Sequence, residues 1–169
     1  MKNKDNKFTS HHVGIAAEAI AAGQFARLGY HVFVQYGANQ PGYDLVIDIN
    51  NMPVKVSVKG SKDNGWGLTQ GNLKEANLQN PEQTPNHYGA IDTWLNKHSP
   101  KTILCFVQFH NKGLNELPAL YIATPLEVSK HLKKSRNAKG DSTLKCYGTT
   151  DKIPDNWKFS EERIEKLIK

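Results

Sequence analysis

Cysteine is almost missing from this chain: only Cys105 and Cys146 occur in 169 residues. Two cysteines cannot build a disulfide framework. Cys105 also stands inside the apolar run Ile103-Leu104-Cys105-Phe106-Val107, where a buried free thiol is expected. That usage points to a reducing compartment. The histidines have no cysteine or histidine partner at zinc-like spacing, so a structural zinc site is not expected. His11 and His12 are neighbours facing different directions and read as a solvated pair. Nor does any run approach the roughly 18 apolar residues of a membrane span. The N-terminal MKNKDNKFTSHH leads into a helical pattern, not into the apolar segment of a signal peptide. These absences predict a cytoplasmic protein without membrane contact. The sequence also has no internal repeat, so the fold is not a stacked array.

The cations that are present outnumber the anions. Lys and Arg total 22 against 16 Asp and Glu, a formal net charge of +6 that favours an anionic partner without requiring one. Hydrophobic residues make up 38% of the chain, which argues for a packed core over global disorder. The length suits one domain across residues 1–169, with a polar leader over about 1–8.

The local pattern predicts a helix capped by Thr9 or Ser10 and stopped at Gly29. Its expected packing stripe is Ile15, Ala19, Ala22 and Ala26, widened by Ala16, Ile20 and Gly23. A strand follows from Tyr30 to Tyr36, then a turn over 37–42. Residues 43–49 alternate Tyr43, Leu45, Ile47 and Ile49 against Asp44, Val46 and Asp48, the period of a strand with two unlike faces. Asn50-Asn51 suits a two-residue hairpin turn, and Met52 to Lys59 returns as the partner strand. From 60 to 100 the pattern weakens. A short helix is expected at Leu73–Asn80, with turns in PEQTPNHYG. Strands are expected at Lys101–Gln108, Pro118–Ala123 and Leu144–Tyr147. Thr124-Pro125 opens a helix through LEVSKHLKKSRN, and a charged helix follows Ser160.

The hairpin carries the candidate chemistry. With a two-residue turn, Ile49 faces Met52, Asp44 falls opposite Ser57, and Lys59 lies on the same face. A three-residue turn would send Asp44 to the other face. Phosphodiester hydrolysis without a covalent intermediate calls for carboxylates that hold a divalent metal and a cation that positions water or offsets charge. Glu18 on the first helix, Asp44 and Lys59 supply that mixture if the helix lies against the hairpin.

The ordered set Glu18 in GIAAEAIAAGQFARLGY, Asp44 in QPGYDLVID and Lys59 in VKVSVKGS resembles the PD-(D/E)xK nuclease superfamily. The likeness is strongest to its archaeal Holliday-junction resolvase and small intron-encoded homing endonuclease branches, and it spans about a quarter of the chain. It implies an α/β, restriction-endonuclease-like core, a mixed central sheet flanked by helices. It also implies Mg²⁺ or Mn²⁺ held by Glu18, Asp44 and the Val58 carbonyl, with Lys59 positioning the attacking water. Double-stranded or branched DNA would be the substrate, and a homodimer or homotetramer the cutting unit. One position departs from the family pattern: Ser57 stands where Glu, Asp or Gln is usual. Serine is a short, neutral ligand. Either the site persists in weakened form, or the fold keeps a nucleic-acid surface without cleavage, or it serves as a protein-binding inhibitor, immunity or scaffold module. Asp48, about 13 Å along the strand from Asp44, is too distant to share an ion. Asp63 and Glu75 stay open as substitutes.

Candidate nucleic-acid contacts are Lys55, Lys62 and Trp66 around the hairpin, and Lys130, Lys133, Lys134 and Arg136 on the later basic helix. These would raise affinity in a salt-dependent way without reading sequence. Gln70 is a further candidate polar partner.

Overall fold

The computed structural model describes residues 8–35, 42–148 and 150–168. The polar leader before Phe8 and residues 37–41 of the turn expected over 37–42 lie outside those residues. Helix α1 (Ser10–Arg27) leads into β1 (His31–Val34), then β2 (Leu45–Ile49) and β3 (Met52–Ser61). After β4 (Gly65–Gly67) come α2 (Gln70–Gln79), α3 (His87–Asn96), β5 (Ile103–Gln108) and β6 (Ala119–Ala123). The described chain continues with α4 (Pro125–Ala138), β7 (Thr143–Lys145) and α5 (Glu161–Ile168). Five strands form one mixed sheet in the order β1-β2-β3-β5-β6, parallel only between β3 and β5. Helices cover both faces, as the α/β reading expects. Side chains of α1 and α5 join one core with Leu45, Ile47, Val56 and Cys105, while α3 and α4 join another with Leu104, Phe106 and Trp66. Strand β5, buried on both faces, is therefore apolar throughout apart from its last residue. No helix among the described residues is long and apolar enough to cross a membrane.

The hairpin follows the two-residue turn. Asn50 and Asn51 adopt φ of 53° and 63°, a conformation Asn tolerates, and the ladder runs from Ile49↔Met52 to Leu45↔Val56. Thr9 caps α1, and His12, expected to be merely solvated, closes the cap through its ring Nδ1, which accepts the Thr9 backbone N–H at 3.2 Å. The chain leaves α1 through Gly29 at φ 88°.

Four expectations need correction. The buried stripe of α1 is Val13, Ala17, Ala21 and Phe25, not the one through Ile15, and Ile15 is 54% exposed. This face packs on β3 because Gly60 lets it come close: a Cβ there would lie 2.8 Å from Val13 Cγ1 and 2.9 Å from Ala17 Cβ. Second, residues 87–96, in a region that reads as turns, form α3. Asn86 caps it by accepting the Gly89 N–H, and Ala90, Ile91 and Trp94 are buried. Third, Gly65–Gly67, which reads as loop, pairs with β7. Fourth, α4 loses helical geometry at Ser135, and Arg136, Asn137 and Ala138 take positive φ.

Helix α5 is pinned through Arg163. Its Nε donates to the Ile122 carbonyl at 3.2 Å and its Nη2 to both Glu127 oxygens at 2.7 Å. Glu127 also completes the Thr124 capping box at the start of α4. Removing the guanidinium leaves a partly buried carboxylate and a carbonyl without their donor. Arg163→Ala is expected to lower unfolding free energy by about 2 kcal/mol, read from urea denaturation monitored by tryptophan fluorescence.

Candidate active site

Strand β3 changes partners halfway along. Residues Met52–Val56 pair with β2, whereas Val56–Ser61 pair with β5. Beyond Leu45, then, β3 has no paired β2 residue beside it, and a fork opens next to Ser57, Val58 and Lys59. Asp44 sits at that fork. Its backbone N–H donates to the Val56 carbonyl at 2.9 Å, while its own carbonyl accepts the Gln35 N–H at 3.1 Å. A regular strand residue would bond one neighbour with both groups, so the chain departs here from the Asp44–Ser57 pairing that regular register counting gives. The Asp44 side chain takes up the slack: Oδ2 accepts the Val58 N–H at 2.6 Å.

Because N–H and C=O of an extended residue point toward the same neighbouring strand, the Val58 carbonyl also opens on the Asp44 side. Ser57, between Val56 and Val58, is only 5% exposed, and Lys59 is exposed. The Lys59 carbonyl accepts the Trp66 indole N–H at 2.8 Å, which fixes the backbone at that point.

Glu18 arrives from the other side. It follows Ala17, one of the two α1 residues that contact Gly60, and Gly60 follows Lys59. Helix and sheet touch at Gly60, while Lys59, one residue earlier, leaves β3 on the opposite face and its charge still reaches Glu18. Burial raises the Glu18 pKa above its ordinary value, the Asp44 carboxylate raises it further, and Lys59 lowers it. Two carboxylates and one ammonium therefore share an electrostatic neighbourhood in which the anions are only partly compensated. Such a group fits a hard divalent cation: Glu18 and Asp44 offer anionic oxygens and Val58 a carbonyl. Among the described residues no three His, Cys, Asp or Glu side chains gather into a metal-binding group.

A raised carboxylate pKa has a defined effect on stability. Ionised Glu18 opposes folding, a penalty absent below its ordinary value of 4.5 and developing as pH rises through the higher folded value. In EDTA at pH 7, Glu18→Gln is expected to melt at a higher temperature than wild type, with the difference vanishing as pH falls below 4.5. Differential scanning fluorimetry across that range measures it.

His98, which the sequence pattern does not single out, also belongs near the site. It stacks on Trp94 at 4.4 Å between ring centroids, and its Nδ1 lies 2.8 Å from the Trp94 carbonyl. A carbonyl only accepts, so Nδ1 carries the proton. Burial lowers its pKa and the charges of Lys59 and Lys97 lower it further, so His98 is a neutral group within reach of the Lys59 charge.

The other sequence candidates scatter. Trp66 is corrected: at 3% exposure, packed on Phe106 and Tyr121, it anchors the β3–β4 loop and offers no face for base stacking. Lys55 lies over the Tyr43 ring at 4.7 Å, and Lys62 donates to the Phe8 carbonyl at 2.8 Å. On α4, Lys130 and Lys134 are exposed, whereas Lys133 pairs with Asp92 at 2.6 Å. Arg136 lies past the break in α4 at Ser135 and donates to His87 Nε2 at 3.1 Å. Gln70 is bonded to Thr143, and Glu75 accepts from Gln79 on its own helix. Asp63 lines a cavity of about 280 Å³ together with Ser10, Val58, Lys59 and Lys62, so that cavity adjoins the fork. A larger one, about 570 Å³, lies at the start of α3 among His87, Tyr88, Arg136 and Lys139, and includes none of Glu18, Asp44 and Lys59.

No protein-family model matches the chain, and no curated protein matches it. The solved structure of a bacterial homing endonuclease, I-Ssp6803I, is similar over 94% of this chain and 93% of that one, at 16% identity and a TM-score of 0.47.

Proposed function

We propose that this protein is a metal-dependent DNA endonuclease of the PD-(D/E)xK type, with Glu18, Asp44 and Lys59 as its catalytic set. The observation that carries the reading is the fork itself, where two mutually repelling carboxylates and a lysine converge beside an open strand edge. Glu18, Asp44 and the Val58 carbonyl would hold Mg²⁺ or Mn²⁺. When bound, the ion supplies Lewis acidity and neutralises phosphate charge. Lys59 orients the water that attacks phosphorus and offsets negative charge growing on the phosphoryl oxygens. Lys130 and Lys134 would contact the phosphate backbone. A homodimer or homotetramer would present the two sites that cutting both strands of a duplex demands.

The test is incubation with supercoiled, linear and branched DNA in Mg²⁺ or Mn²⁺, with EDTA as control. Nicking or linearisation that stops in EDTA supports the proposal, and intact DNA of all three forms in the presence of folded protein overturns it. A second reading has its own observation. Ser57 stands where the family pattern has its third ligand and, among the described residues, only two carboxylates meet at the fork, which favours a nuclease-like module that binds nucleic acid without cutting it. Under that reading, DNA affinity falls steeply with salt but ignores EDTA.

A further inference from the structure

A divalent cation bound by Glu18 and Asp44 needs more oxygen donors than these two side chains supply, and Ser57, buried and short, is a poor third. The strand on the far side of Asp44 carries another oxygen. Gln35 continues the β1–β2 register His31↔Asp48 and Phe33↔Val46, and its N–H bonds the Asp44 carbonyl at 3.1 Å. The two residues are direct cross-strand neighbours. Gln35 Oε1 is buried and has no hydrogen-bond partner among the described residues. A buried amide oxygen without a donor is costly, and a bound cation would satisfy it. The other buried side-chain atoms in this condition are Asp48 Oδ1, Thr69 Oγ1 and Gln108 Nε2. Of these four residues, only Gln35 pairs directly with a candidate ligand.

Resting on the nuclease reading above, we infer that Gln35, just past the end of β1, supplies the oxygen donor that Ser57 cannot supply from β3. An amide oxygen is a suitable hard ligand and adds no charge. The set Glu18, Asp44, Gln35 and the Val58 carbonyl then carries two negative charges, which one divalent ion balances. The inference therefore specifies a one-ion site.

Calorimetric titration of Mn²⁺ into metal-free protein tests this, with melting temperature in EDTA as the folding control. Wild type should bind one Mn²⁺ per chain. Gln35→Ala and the nearly isosteric Gln35→Met should each weaken binding at least ~10-fold with no fall in the EDTA melting temperature. Gln35→Glu should bind more tightly than wild type, and Ser57→Gln should restore binding to the Gln35→Ala protein. A purely structural Gln35 would produce neither effect. Wild-type affinity in Gln35→Ala and Gln35→Met, with binding lost in Asp44→Ala, would overturn this inference and leave the nuclease reading standing. No binding by wild type, alone or with a noncleavable duplex, would remove both.

Discussion

Asp44→Ala is expected to abolish saturable Mn²⁺ binding and to reduce DNA cleavage by about 10³-fold or more. The magnitude follows from the several kcal/mol of charge stabilisation a catalytic metal supplies, at about 1.4 kcal/mol per tenfold in rate. Alanine alone would not separate chemistry from architecture, because the Asp44 carboxylate also accepts the Val58 N–H at 2.6 Å. Losing that acceptor at the fork would loosen the end of β2 whatever the function. Asp44→Asn resolves this: its amide oxygen can still accept the Val58 N–H, while the negative charge is gone. If Asp44 serves the metal, Asp44→Asn loses cleavage and ion affinity nearly as fully as Asp44→Ala, yet melts in EDTA close to wild type. If Asp44 merely closes the strand, Asp44→Asn cleaves and binds like wild type and only Asp44→Ala is impaired. Plasmid nicking rates, Mn²⁺ calorimetry and thermal melts on the two variants decide between these outcomes.

The hairpin shows what a sequence can carry. Asn-Asn accepts the left-handed turn, the turn fixes Ile49 against Met52, and the period of two then places every residue back to Leu45. Strand β5 was equally legible, since a strand covered on both faces is apolar without interruption. Register counting failed at Asp44 because the offset there is made by backbone bonds to two different strands, a tertiary event with no local signature. The face of α1 was misread for a related reason. Ile15 is the more hydrophobic residue, but the helix buries Ala17, because what decides is how near β3 can come, and that depends on a glycine far along the chain. Helix α3 was hidden behind a turn-rich approach and only three buried apolar residues, Ala90, Ile91 and Trp94. His98 reads from the sequence only as a histidine without a zinc-spaced partner, because its relation to Lys59 exists only in the fold.

Gly60 is where fold and candidate site depend on the same atom. Glycine is the one residue whose missing Cβ lets α1 rest on β3, since an added methyl would lie 2.8 Å from both Val13 Cγ1 and the Val13 carbonyl oxygen and 2.9 Å from Ala17 Cβ. Two of those three neighbours, the Val13 backbone oxygen and the Ala17 Cβ, cannot rotate aside, so the helix itself must move. Gly60→Ala is therefore expected to destabilise the protein by about 3 kcal/mol, at the upper end for one overpacked methyl. The larger effect should fall on cleavage. Glu18 adjoins Ala17, so an outward shift of α1 carries its carboxylate away from Asp44 and Lys59, and a displacement near 1 Å at a catalytic group costs on the order of 10²-fold in rate. Val13→Ala should partly restore stability to the Gly60→Ala protein by removing the side-chain clash, but not the contacts with the Val13 carbonyl and Ala17. A double-mutant cycle on melting temperature, with cleavage assayed at a temperature where all variants are folded, separates the two consequences. If folded Gly60→Ala cleaves at the wild-type rate, the position of Glu18 is not set by this contact.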